Sequence, residues 1–486
     1  MRSFVLFRIF SRFFAFCGLT LALPLLVSLF YSDGLWWTWI LTMVLSLGLS
    51  GLSIHYARQS HATYSGLRRR EGLLAVTVAW LSIVTLTAVA YYLSGEFDGF
   101  AKAFFESMSG YTTTGATVAS DVEALSESIL FTRSFSHWIG GMGIIVLSVA
   151  ILPELAVAGM QLVEAETSGL ESEKLAPRIA DTARKLWSLY VGLTLLQTGL
   201  LVMADMSVFD AINHAMATIA TGGFSTKNAS IAAFNSTFVQ LIIIVFMFVS
   251  GINFVLLFRV TLGREPHRLI HSPEVRLYTL LMLISAGMIA GALVLSGQYE
   301  SSSTAFLDAL FQTVSIMTTT GFGTADFDQW PSFAKLILLG LMFVGGCAGS
   351  TAGGSKVVRL YVVAKHAGMQ MNRVIRPKLV QTLRMGKKLV SREIIESVLG
   401  FYLLYFIAIL VASLVLAGTG LDLVSAFTAA VSAMNSIGPG LGQVGPSQTF
   451  AELSPFGLYV LSFCMLLGRL EIYTLLVLFA PRFWRR

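Results

Sequence analysis

The chain has 486 residues, of which 55% are hydrophobic and 12% are charged, and its mean hydropathy is +0.75. Soluble domains carry about 25% charged residues, so this composition excludes a soluble enzyme, a secreted disulfide scaffold and a nucleic-acid-binding domain. Apolar runs of about 20 residues, the length that crosses a bilayer, recur along the whole chain. Cys17, Cys347 and Cys464 lie in apolar runs without metal-type spacing. The sequence therefore predicts an integral membrane protein.

The apolar segments predict about ten spanning helices. The first follows Arg2, Arg8 and Arg12, as in a signal peptide, but no small-residue cleavage site follows it, so we expect it to be retained. The segments lie near residues 10–30, 35–54, 71–94, 134–153, 185–204, 236–258, 276–296, 333–362, 394–417 and 455–480.

Lys and Arg collect in alternate loops, which predicts that those loops and both termini face the cytoplasm. The basic loop residues are Arg58, Arg68, Arg69, Arg70, Arg259, Arg264, Arg268, Arg276, Arg482, Arg485 and Arg486. A longer segment without any acid carries Lys356, Arg359, Lys365, Arg373, Arg376, Lys378, Arg384, Lys387, Lys388 and Arg392. The opposite loops are acidic and would concentrate cations at the outer face.

Four apolar segments near residues 99–111, 209–219, 305–318 and 424–434 are too short to span a membrane and are predicted to be half-helices. Each ends in a Thr, Ser and Gly-rich run. The glycines taken as equivalent, Gly115, Gly222, Gly321 and Gly438, recur about every 100 residues, which indicates an internal repeat. A second set of glycines follows in the next spanning helix of each unit, at Gly141, Gly251, Gly346 and Gly468.

The predicted fold is an all-α membrane protein in which four helix, pore-loop, helix units surround one pore. An N-terminal helix pair at 1–70 precedes repeats at 71–155, 156–262, 263–392 and 393–486. Non-helical backbone at membrane depth is tolerated where it is buried in protein or lines a water-filled cavity. The carboxyl end of a half-helix attracts cations, and a glycine turn with positive φ aims carbonyl groups at the pore axis.

A single Thr-Thr-Gly run is more often a helix cap or a loop than an ion filter. Four such runs in register, each between two spans, favour a cation filter. All four units run in the same direction, which disfavours a transporter built from inverted repeats.

The chain resembles the Trk/Ktr/HKT superfamily of potassium transporters, and its extra N-terminal helix pair is similar to the bacterial Trk branch. The resemblance covers the whole chain and is carried by Thr112 to Gly115, by the run from Ser136 to Gly143, by Gly345 to Gly354 and by Leu467 to Glu471. It implies a transporter rather than an enzyme.

The resemblance implies that carbonyls of four short runs coordinate K⁺. These are Thr112, Thr113, Thr114 and Gly115; Ile219, Ala220, Thr221 and Gly222; Thr318, Thr319, Thr320 and Gly321; and Asn435, Ser436, Ile437 and Gly438. Glycine at position 115 favours K⁺ over Na⁺, and Rb⁺ is expected to follow K⁺. The fourth run lacks the Thr pattern, and one glycine per repeat predicts weaker exclusion of Na⁺ than in a full potassium-channel signature.

A glycine-rich stretch is predicted to break the eighth span, because each glycine in a helix interior costs about 1 kcal/mol relative to alanine. Tight helix packing through small residues is the alternative. The resemblance implies an intramembrane loop that gates the pore. The stretch comprises Gly345, Gly346, Cys347, Ala348, Gly349, Ser350, Thr351, Ala352, Gly353 and Gly354.

Arg469 is a charged residue deep in the last span, where the other repeats were aligned with Met142, Ile252 and Cys347. Burying a charge in a span costs free energy and usually serves a function, so we expect Arg469 to project into the cavity below the filter and to repel or release K⁺, as a second part of the gate. A salt bridge with Glu471 or snorkelling is the alternative. Glu106 is expected to support the first turn by hydrogen bonds rather than to bind a metal, and His137 and His214 are expected to pack or to form hydrogen bonds rather than to be catalytic.

The basic segment from Lys356 to Arg392 follows the predicted gate. Positive-inside topology with attraction to anionic lipid would explain it. The resemblance implies more, namely a cytosolic ring of nucleotide-binding regulatory subunits of the TrkA type, and a homodimer. The chain has no Walker or G-x-G-x-x-G motif, so we expect ATP, ADP or NAD to act only through that partner, and no cofactor to bind this chain.

Competing functions remain open at this stage. Uptake of K⁺ coupled to H⁺ or Na⁺ would require a titratable group in the pathway. Few acids lie within the spans, Glu471 being the main exception, so passive uptake is favoured. An intramembrane enzyme would need clustered acids, histidines or metal ligands at one membrane face, and none is recognisable. Voltage gating is disfavoured because no span carries an arginine at every third position.

Overall fold

A computed structural model describes residues 3–58, 69–150, 175–261, 263, 265–379, 381–386 and 388–485. Some sequence-based predictions fall outside these residues. They are the boundary between the first and second repeats at 155/156 and the basic residues Arg2, Arg68, Arg264, Lys387 and Arg486.

The described part of the chain is mostly helical, as predicted. The N-terminal part contains α1 (Ser3–Thr20), α2 (Ala22–Tyr31) and α3 (Trp36–Arg58). The first repeat contains α4 (Arg69–Ser94), α5 (Phe100–Tyr111) and α6 (Glu127–Ala150). The second contains α7 (Leu175–Met203), α8 (Val208–Ile219), α9 (Thr237–Ser250) and α10 (Phe254–Thr261), followed by the short α11 (His267–His271).

The third repeat contains α12 (Pro273–Leu295), α13 (Ser302–Met317), α14 (Ser332–Met342) and α15 (Val357–Ile375). A two-stranded antiparallel hairpin, β1 (Arg384–Met385) and β2 (Lys388–Leu389), follows it. The fourth contains α16 (Arg392–Gly418), α17 (Leu423–Asn435), α18 (Pro455–Arg469), α19 (Tyr473–Leu476) and α20 (Pro481–Trp484). The four half-helices predicted from the sequence are therefore confirmed as α5, α8, α13 and α17.

Six of the described helices are long and apolar enough to cross a membrane, or eight if each of two bent pairs counts as one span. The count of about ten spans stays a prediction. The predicted break in the eighth span is confirmed, because α14 ends at Met342 and α15 begins only at Val357.

Two further spans were predicted to be continuous, and that prediction is wrong. α9 and α10 meet at 108°, and α18 and the segment from Tyr473 to Phe479 meet at 109°. At the first bend Asn253 accepts a hydrogen bond from Leu256 N at 3.0 Å and so starts the new helix. At the second bend Glu471 and Ile472 adopt positive φ. Hydropathy continues through both bends and does not report a change of direction.

The four repeats close into a ring through their helices. In each repeat the long helix packs on the half-helix, here called the pore helix, and the pore helix packs on the helix that follows. That following helix also contacts the pore helix of the next repeat: α6 contacts α8, α9 contacts α13, α14 contacts α17, and α18 contacts α5. The last contact joins the fourth repeat to the first, so the four pore helices surround one central region.

The N-terminal helices lie outside this ring, against the first repeat. α2 packs on α6, and the indole Nε1 of Trp39 donates to Ser128 Oγ at 3.1 Å. Helices α1 and α3 pack on each other and expose many large apolar side chains, including Leu19, Leu41 and Val44. In a membrane protein such side chains suit contact with lipid tails.

Candidate ion pathway

Each pore helix is followed by a turn with the same backbone conformation. The second residue of each turn is a non-glycine residue in the left-handed region, namely Thr113 (φ 54°), Thr221 (φ 55°), Thr319 (φ 58°) and Ser436 (φ 55°). Two residues later comes a glycine with positive φ, namely Gly115 (81°), Gly223 (82°), Gly321 (84°) and Gly438 (102°). A left-handed conformation costs an ordinary L-residue roughly 1–2 kcal/mol, so the recurring pattern marks a constrained site.

The hydrogen bonds of the four turns also correspond. The amide of the residue before each glycine donates a hydrogen bond to a carbonyl of the pore helix that precedes it. The four bonds are Thr114 N to Ser109 O at 2.9 Å, Gly222 N to Ala217 O at 2.8 Å, Thr320 N to Ser315 O at 2.8 Å, and Ile437 N to Ser432 O at 3.1 Å. This bond holds the peptide plane between the second and third residues of each turn, so it fixes the carbonyl of the second residue, namely Thr113, Thr221, Thr319 or Ser436.

The four turns form a closed ring. A methyl group on Gly115 would collide with the carbonyl oxygen of Gly222, and one on Gly223 would collide with that of Thr320. In the same way Gly321 lies against Ile437 O, and Gly438 lies against Thr114 O. Each glycine thus faces a carbonyl of the next repeat, and the fourth repeat returns to the first.

The ring corrects the sequence alignment of the second repeat. Gly222 was taken as the counterpart of Gly115, but by φ, hydrogen bonding and neighbour in the ring that counterpart is Gly223. The corresponding run is therefore Ala220 to Gly223, and Ile219 ends the pore helix. The other three runs keep the predicted register.

The ring lies at the inner end of a cavity that is lined by these same glycines. Gly115, Gly223, Gly321 and Gly438 line a space of about 320 Å³ together with Lys227, Phe450 and other loop residues. Most of the remaining side chains of the four runs are buried completely, including Thr112, Thr221, Thr320 and Asn435. Within the described ranges no group of three or more His, Cys, Asp or Glu residues could hold a metal ion. The oxygen atoms that could coordinate a cation at the ring are those of backbone carbonyl groups and side-chain hydroxyl groups.

Polar side chains of the pore helices hold the chain beyond each turn. Glu106 accepts hydrogen bonds from Thr117 Oγ1 and Val118 N, both at 2.9 Å. His214 lies 2.8 Å from Ser225 Oγ through its Nε2. The expected supporting roles of Glu106 and His214 are confirmed. His137 packs its ring on Phe224, at 4.2 Å between centroids, and lies against Gly222.

The corresponding supports in the third and fourth repeats are Gln312 and Thr428. Gln312 donates to Ala325 O at 3.2 Å. Thr428 Oγ1 accepts from Leu441 N at 3.0 Å.

The glycine-rich stretch lies beneath the ring and contacts three of the four repeats. Thr351 Oγ1 lies 3.0 Å from Ile219 O and 3.2 Å from Ser250 O. Gly353 N donates to Thr319 Oγ1 at 2.6 Å, and a methyl group on Gly353 would collide with Asn435 O. The segment between α14 and α15, here called the intramembrane loop, thus fills the space directly below the turns.

Arg469 touches this loop. Its side chain is 3% exposed, and it donates from Nη1 to Thr351 O at 3.0 Å and from Nη2 to Gly140 O at 2.9 Å. Glu471 pairs with Arg359 instead, so a salt bridge between Arg469 and Glu471 is not what the structure contains.

The alignment around Arg469 also shifts by one residue. Gly140 and Gly468 each lie against a carbonyl near the end of their own pore helix, Tyr111 O and Met434 O, and these two residues occupy the same position relative to Gly115 and Gly438. The counterpart of Arg469 in the first repeat is therefore Gly141 and not Met142.

Sequence reasoning missed two residues that hold the intramembrane loop. Asn253, at the bend between α9 and α10, donates from Nδ2 to Ala348 O at 2.8 Å. Glu274, in the first turn of α12, accepts from Ala348 N at 2.7 Å and is 4% exposed. A polar residue two positions after Gly251 within an apolar run was the available signal for Asn253. Glu274 follows a Ser-Pro helix start and resembles an ordinary first-turn acid.

Comparison with known proteins gives a consistent result over the whole chain. A family model described as TrkH, cation transport protein, matches residues 42–486. The Trk system potassium uptake protein TrkH of Salmonella typhimurium is 40% identical, with 96% of each chain covered. TrkG of Escherichia coli, named as a Trk system potassium uptake protein, is 34% identical, again with 96% of each chain covered.

A solved structure has the same fold. The crystal structure of the potassium transporter TrkH from Vibrio parahaemolyticus matches with a TM-score of 0.91 and 37% identity, and all of both chains is covered. The predicted family resemblance and fold class are thereby confirmed.

Proposed function

The chain belongs to the TrkH family of cation transport proteins, and from this premise we propose that it takes up K⁺, and with it Rb⁺, across a bacterial inner membrane. The family is one of transporters and not of enzymes. The observation that carries the proposal is the closed ring in which the carbonyls of Thr114, Gly222, Thr320 and Ile437 each meet a glycine of the neighbouring repeat.

Backbone carbonyls suit this task because they replace the hydration shell of a monovalent cation. The pore helices end at the ring with their carboxyl ends, where the helix dipole favours positive charge. Asn435, Ser436 and Ile437 give the fourth repeat a different chemistry from the Thr-rich first and third turns. We therefore expect selection for K⁺ over Na⁺ that is weaker than in a channel with several stacked carbonyl layers.

The intramembrane loop is the gate in this proposal. Its contacts with Ile219 O, Thr319 Oγ1 and the backbone at Asn435 put it in the path of an ion that leaves the ring inward. Arg469 supports the same assignment, because its charge stabilises the loop through Thr351 O and repels cations below the ring.

The gate is connected to the cytosolic side by packing. Ala348 of the loop belongs to one buried cluster with Val358 and Val362 of α15 and with Leu383, Met385 and Val390 around the hairpin. A force on the part of the basic segment that follows α15 would reach the loop through this cluster. We propose that a cytosolic nucleotide-binding subunit of the TrkA type acts there, so that ATP, ADP or NAD controls uptake without binding this chain.

The remaining assignments follow the same family logic. We propose a homodimer in the inner membrane with both termini in the cytoplasm and the basic segment at the membrane surface, where it attracts anionic lipid. Coupling of K⁺ to H⁺ or Na⁺ is the second candidate. Passive uptake is favoured over it because Glu471, the main acid within the spans, is paired with Arg359.

Uptake of radioactive Rb⁺ by proteoliposomes that hold the purified protein and are loaded with K⁺ tests the proposal. We expect uptake that external K⁺ inhibits far better than Na⁺, and that Gly115→Ser makes less selective. Deletion within Gly345–Gly354 should raise uptake when no partner subunit is present. If neither the intact protein nor the deletion variant conducts, the assignment is wrong, whereas flux in the deletion variant alone indicates a closed gate.

A further inference from the structure

A buried ion pair lies behind the first two turns. Arg133 Nε and Glu106 Oε1 are 2.8 Å apart, and their side chains are 2% and 0% exposed. Within the described ranges it is the one ion pair with both side chains this deeply buried. Burying two charges costs several kcal/mol per ion, which only good geometry and further hydrogen bonds offset, so such a pair calls for an explanation.

The pair contacts two repeats and not only one. Arg133 donates from Nη1 to Ser225 O of the second repeat at 3.0 Å, and its guanidinium lies 4.1 Å from the ring centroid of Phe224. Toward the first repeat, Arg133 Nη2 lies 3.3 Å from Thr117 Oγ1, and Glu106 accepts from Thr117 and Val118. One network therefore holds the residues that directly follow Gly115 and those that directly follow Gly223.

Two other junctions between the loops that follow the turns are made by backbone hydrogen bonds. The second and third repeats are joined by Gly323 O, which accepts from Ile231 N and Ala232 N. The fourth and first are joined by Phe450 N, which donates to Thr117 O at 2.8 Å. At the position of Glu106 the second and third repeats carry His214 and Gln312. The first junction thus differs in chemistry from these two.

We infer that Arg133 and Glu106 are positioning residues that set the spacing of the first two carbonyls of the ring and so determine how strongly K⁺ is preferred over Na⁺. This inference rests on the proposed function. Neither side chain needs to touch the ion. A carbonyl ring that is free to contract would coordinate the smaller Na⁺ better, and the guanidinium resists contraction because its donors are engaged in three directions.

The test compares Glu106→Gln and Arg133→Lys with the unchanged protein in the proteoliposome assay. Glu106→Gln keeps the shape and removes the charge, and Arg133→Lys keeps the charge and removes the fork of donors. We expect the Na⁺ concentration that halves Rb⁺ uptake to fall about tenfold, the factor that losing one charge-assisted hydrogen bond gives, while inhibition by K⁺ changes little. Arg268→Gln, in an exposed pair with Glu265, is the matched control and should behave as the unchanged protein.

A third variant covers the case in which the charge variants fail to fold. Thr117→Val removes a hydroxyl that contacts both members of the pair and leaves both charges in place. In this variant the Na⁺ concentration that halves Rb⁺ uptake should also fall, but by less than in the two charge variants. Unchanged Na⁺ inhibition in every variant that elutes as one monodisperse peak overturns the positioning role. Uptake by the unchanged protein that K⁺ does not inhibit overturns the proposed function itself.

Discussion

Arg469 Nη1 donates a hydrogen bond of 3.0 Å to the carbonyl oxygen of Thr351, so the charged end of α18 lies directly on the intramembrane loop. The second guanidinium nitrogen reaches Gly140 O of the first repeat at 2.9 Å. One side chain of the fourth repeat therefore ties the loop of the third repeat to a helix of the first. This arrangement is suited to hold the loop below the ring.

Arg469→Ala should raise Rb⁺ uptake by the purified protein in the absence of any partner. The substitution removes one charge-assisted hydrogen bond to the loop, at Thr351 O, and one to the first repeat, at Gly140 O, and each of these is worth about 1.5–3 kcal/mol. We expect uptake to rise about tenfold or more. Arg469→Lys retains one donor group, so Rb⁺ uptake by this variant should rise less than uptake by Arg469→Ala. Arg268→Ala at an exposed site is the control, and uptake by Arg469→Ala at the level of that control would contradict the role of Arg469 in the gate.

Glu274→Ala should make the intramembrane loop more accessible. Glu274 accepts the amide hydrogen of Ala348, and a buried amide without a partner costs about 1–3 kcal/mol, which favours a displaced loop. The neighbouring thiol of Cys347, which is fully buried, reports this displacement. In a protein without Cys17 and Cys464, labelling of Cys347 by a membrane-permeant thiol reagent should become about tenfold faster.

The control for this experiment is Glu265→Ala, which disrupts a surface pair with Arg268. Glu274→Gln keeps an acceptor oxygen and should label at a rate between those of the unchanged protein and Glu274→Ala. Equal rates in Glu274→Ala and Glu265→Ala would show that Glu274 does not hold the loop.

The register of the second turn predicts different outcomes for two adjacent glycines. A methyl group on Gly222 would collide with the ring of His137, whereas one on Gly223 would collide with the backbone at Thr320 and also require φ of 82°. The clash at Gly222 can be relieved by truncating the side chain of His137, whereas the clash at Gly223 is with backbone atoms that no substitution removes. Gly222→Ala should therefore lose selective Rb⁺ uptake and regain much of it when combined with His137→Ala. Gly223→Ala should stay defective with either residue at position 137, and rescue of Gly223→Ala by His137→Ala would refute this register.

This register shows where sequence-based prediction reached its limit. Apolar length and the Thr and Gly-rich endings were enough to find all four pore helices to within a few residues. Two consecutive glycines at 222 and 223 are equally able to adopt positive φ, so composition does not choose between them. The choice is made in the folded turn, where Gly222 N donates a hydrogen bond back to Ala217 O near the end of the pore helix and the methyl position of Gly223 faces Thr320 O of the next repeat.

The bends and the loop contacts were hidden for a related reason. Gly345–Gly354 was recognisable as a break because five glycines oppose a helix, but the bend at Leu470–Ile472 lies in an apolar run with no helix breaker. Glu274 and Arg133 each act on a residue far along the chain, Ala348 in one case and Ser225 in the other. Periodicity and spacing describe one element at a time and carry no information about such partners.

Asp422, which begins the fourth pore helix, predicts a dependence of stability on pH. Its carboxylate accepts from Val424 N at 3.0 Å and Ser425 N at 3.2 Å, and hydrogen bonds from Ser425 and these amides hold its pKa below the usual range. Because the folded pKa is lower than the unfolded one, the stabilisation is present at neutral pH and is lost as the pH falls through the folded pKa. Asp422→Ala should lower the unfolding temperature at pH 7, and the difference should vanish in acid.

Asp422→Asn provides the control for this effect, because an amide oxygen still accepts from the two backbone amides but does not titrate. It should stay close to the unchanged protein at pH 7. A difference between Asp422→Ala and the unchanged protein that is the same at pH 7 and in acid would refute the charge-dependent cap.

The pair between Arg359 and Glu471 predicts strong coupling between two substitutions. The side chain of Arg359 is 2% exposed, and its guanidinium lies 4.1 Å from the ring centroid of Phe401. Through its pair with Glu471 it connects α15, the helix that follows the intramembrane loop, to the bend after α18. Removing one member leaves a buried charge alone, which costs about 3–5 kcal/mol. Glu471→Gln and Arg359→Gln should each lower the unfolding temperature in detergent markedly. The double variant buries no unpaired charge, so its fall in unfolding temperature should be much smaller than the sum of the falls in the two single variants. For the exposed pair of Arg392 and Glu396, the falls should be small and additive. Additive losses at Arg359 and Glu471 would mean that the pair does not couple α15 to the bend.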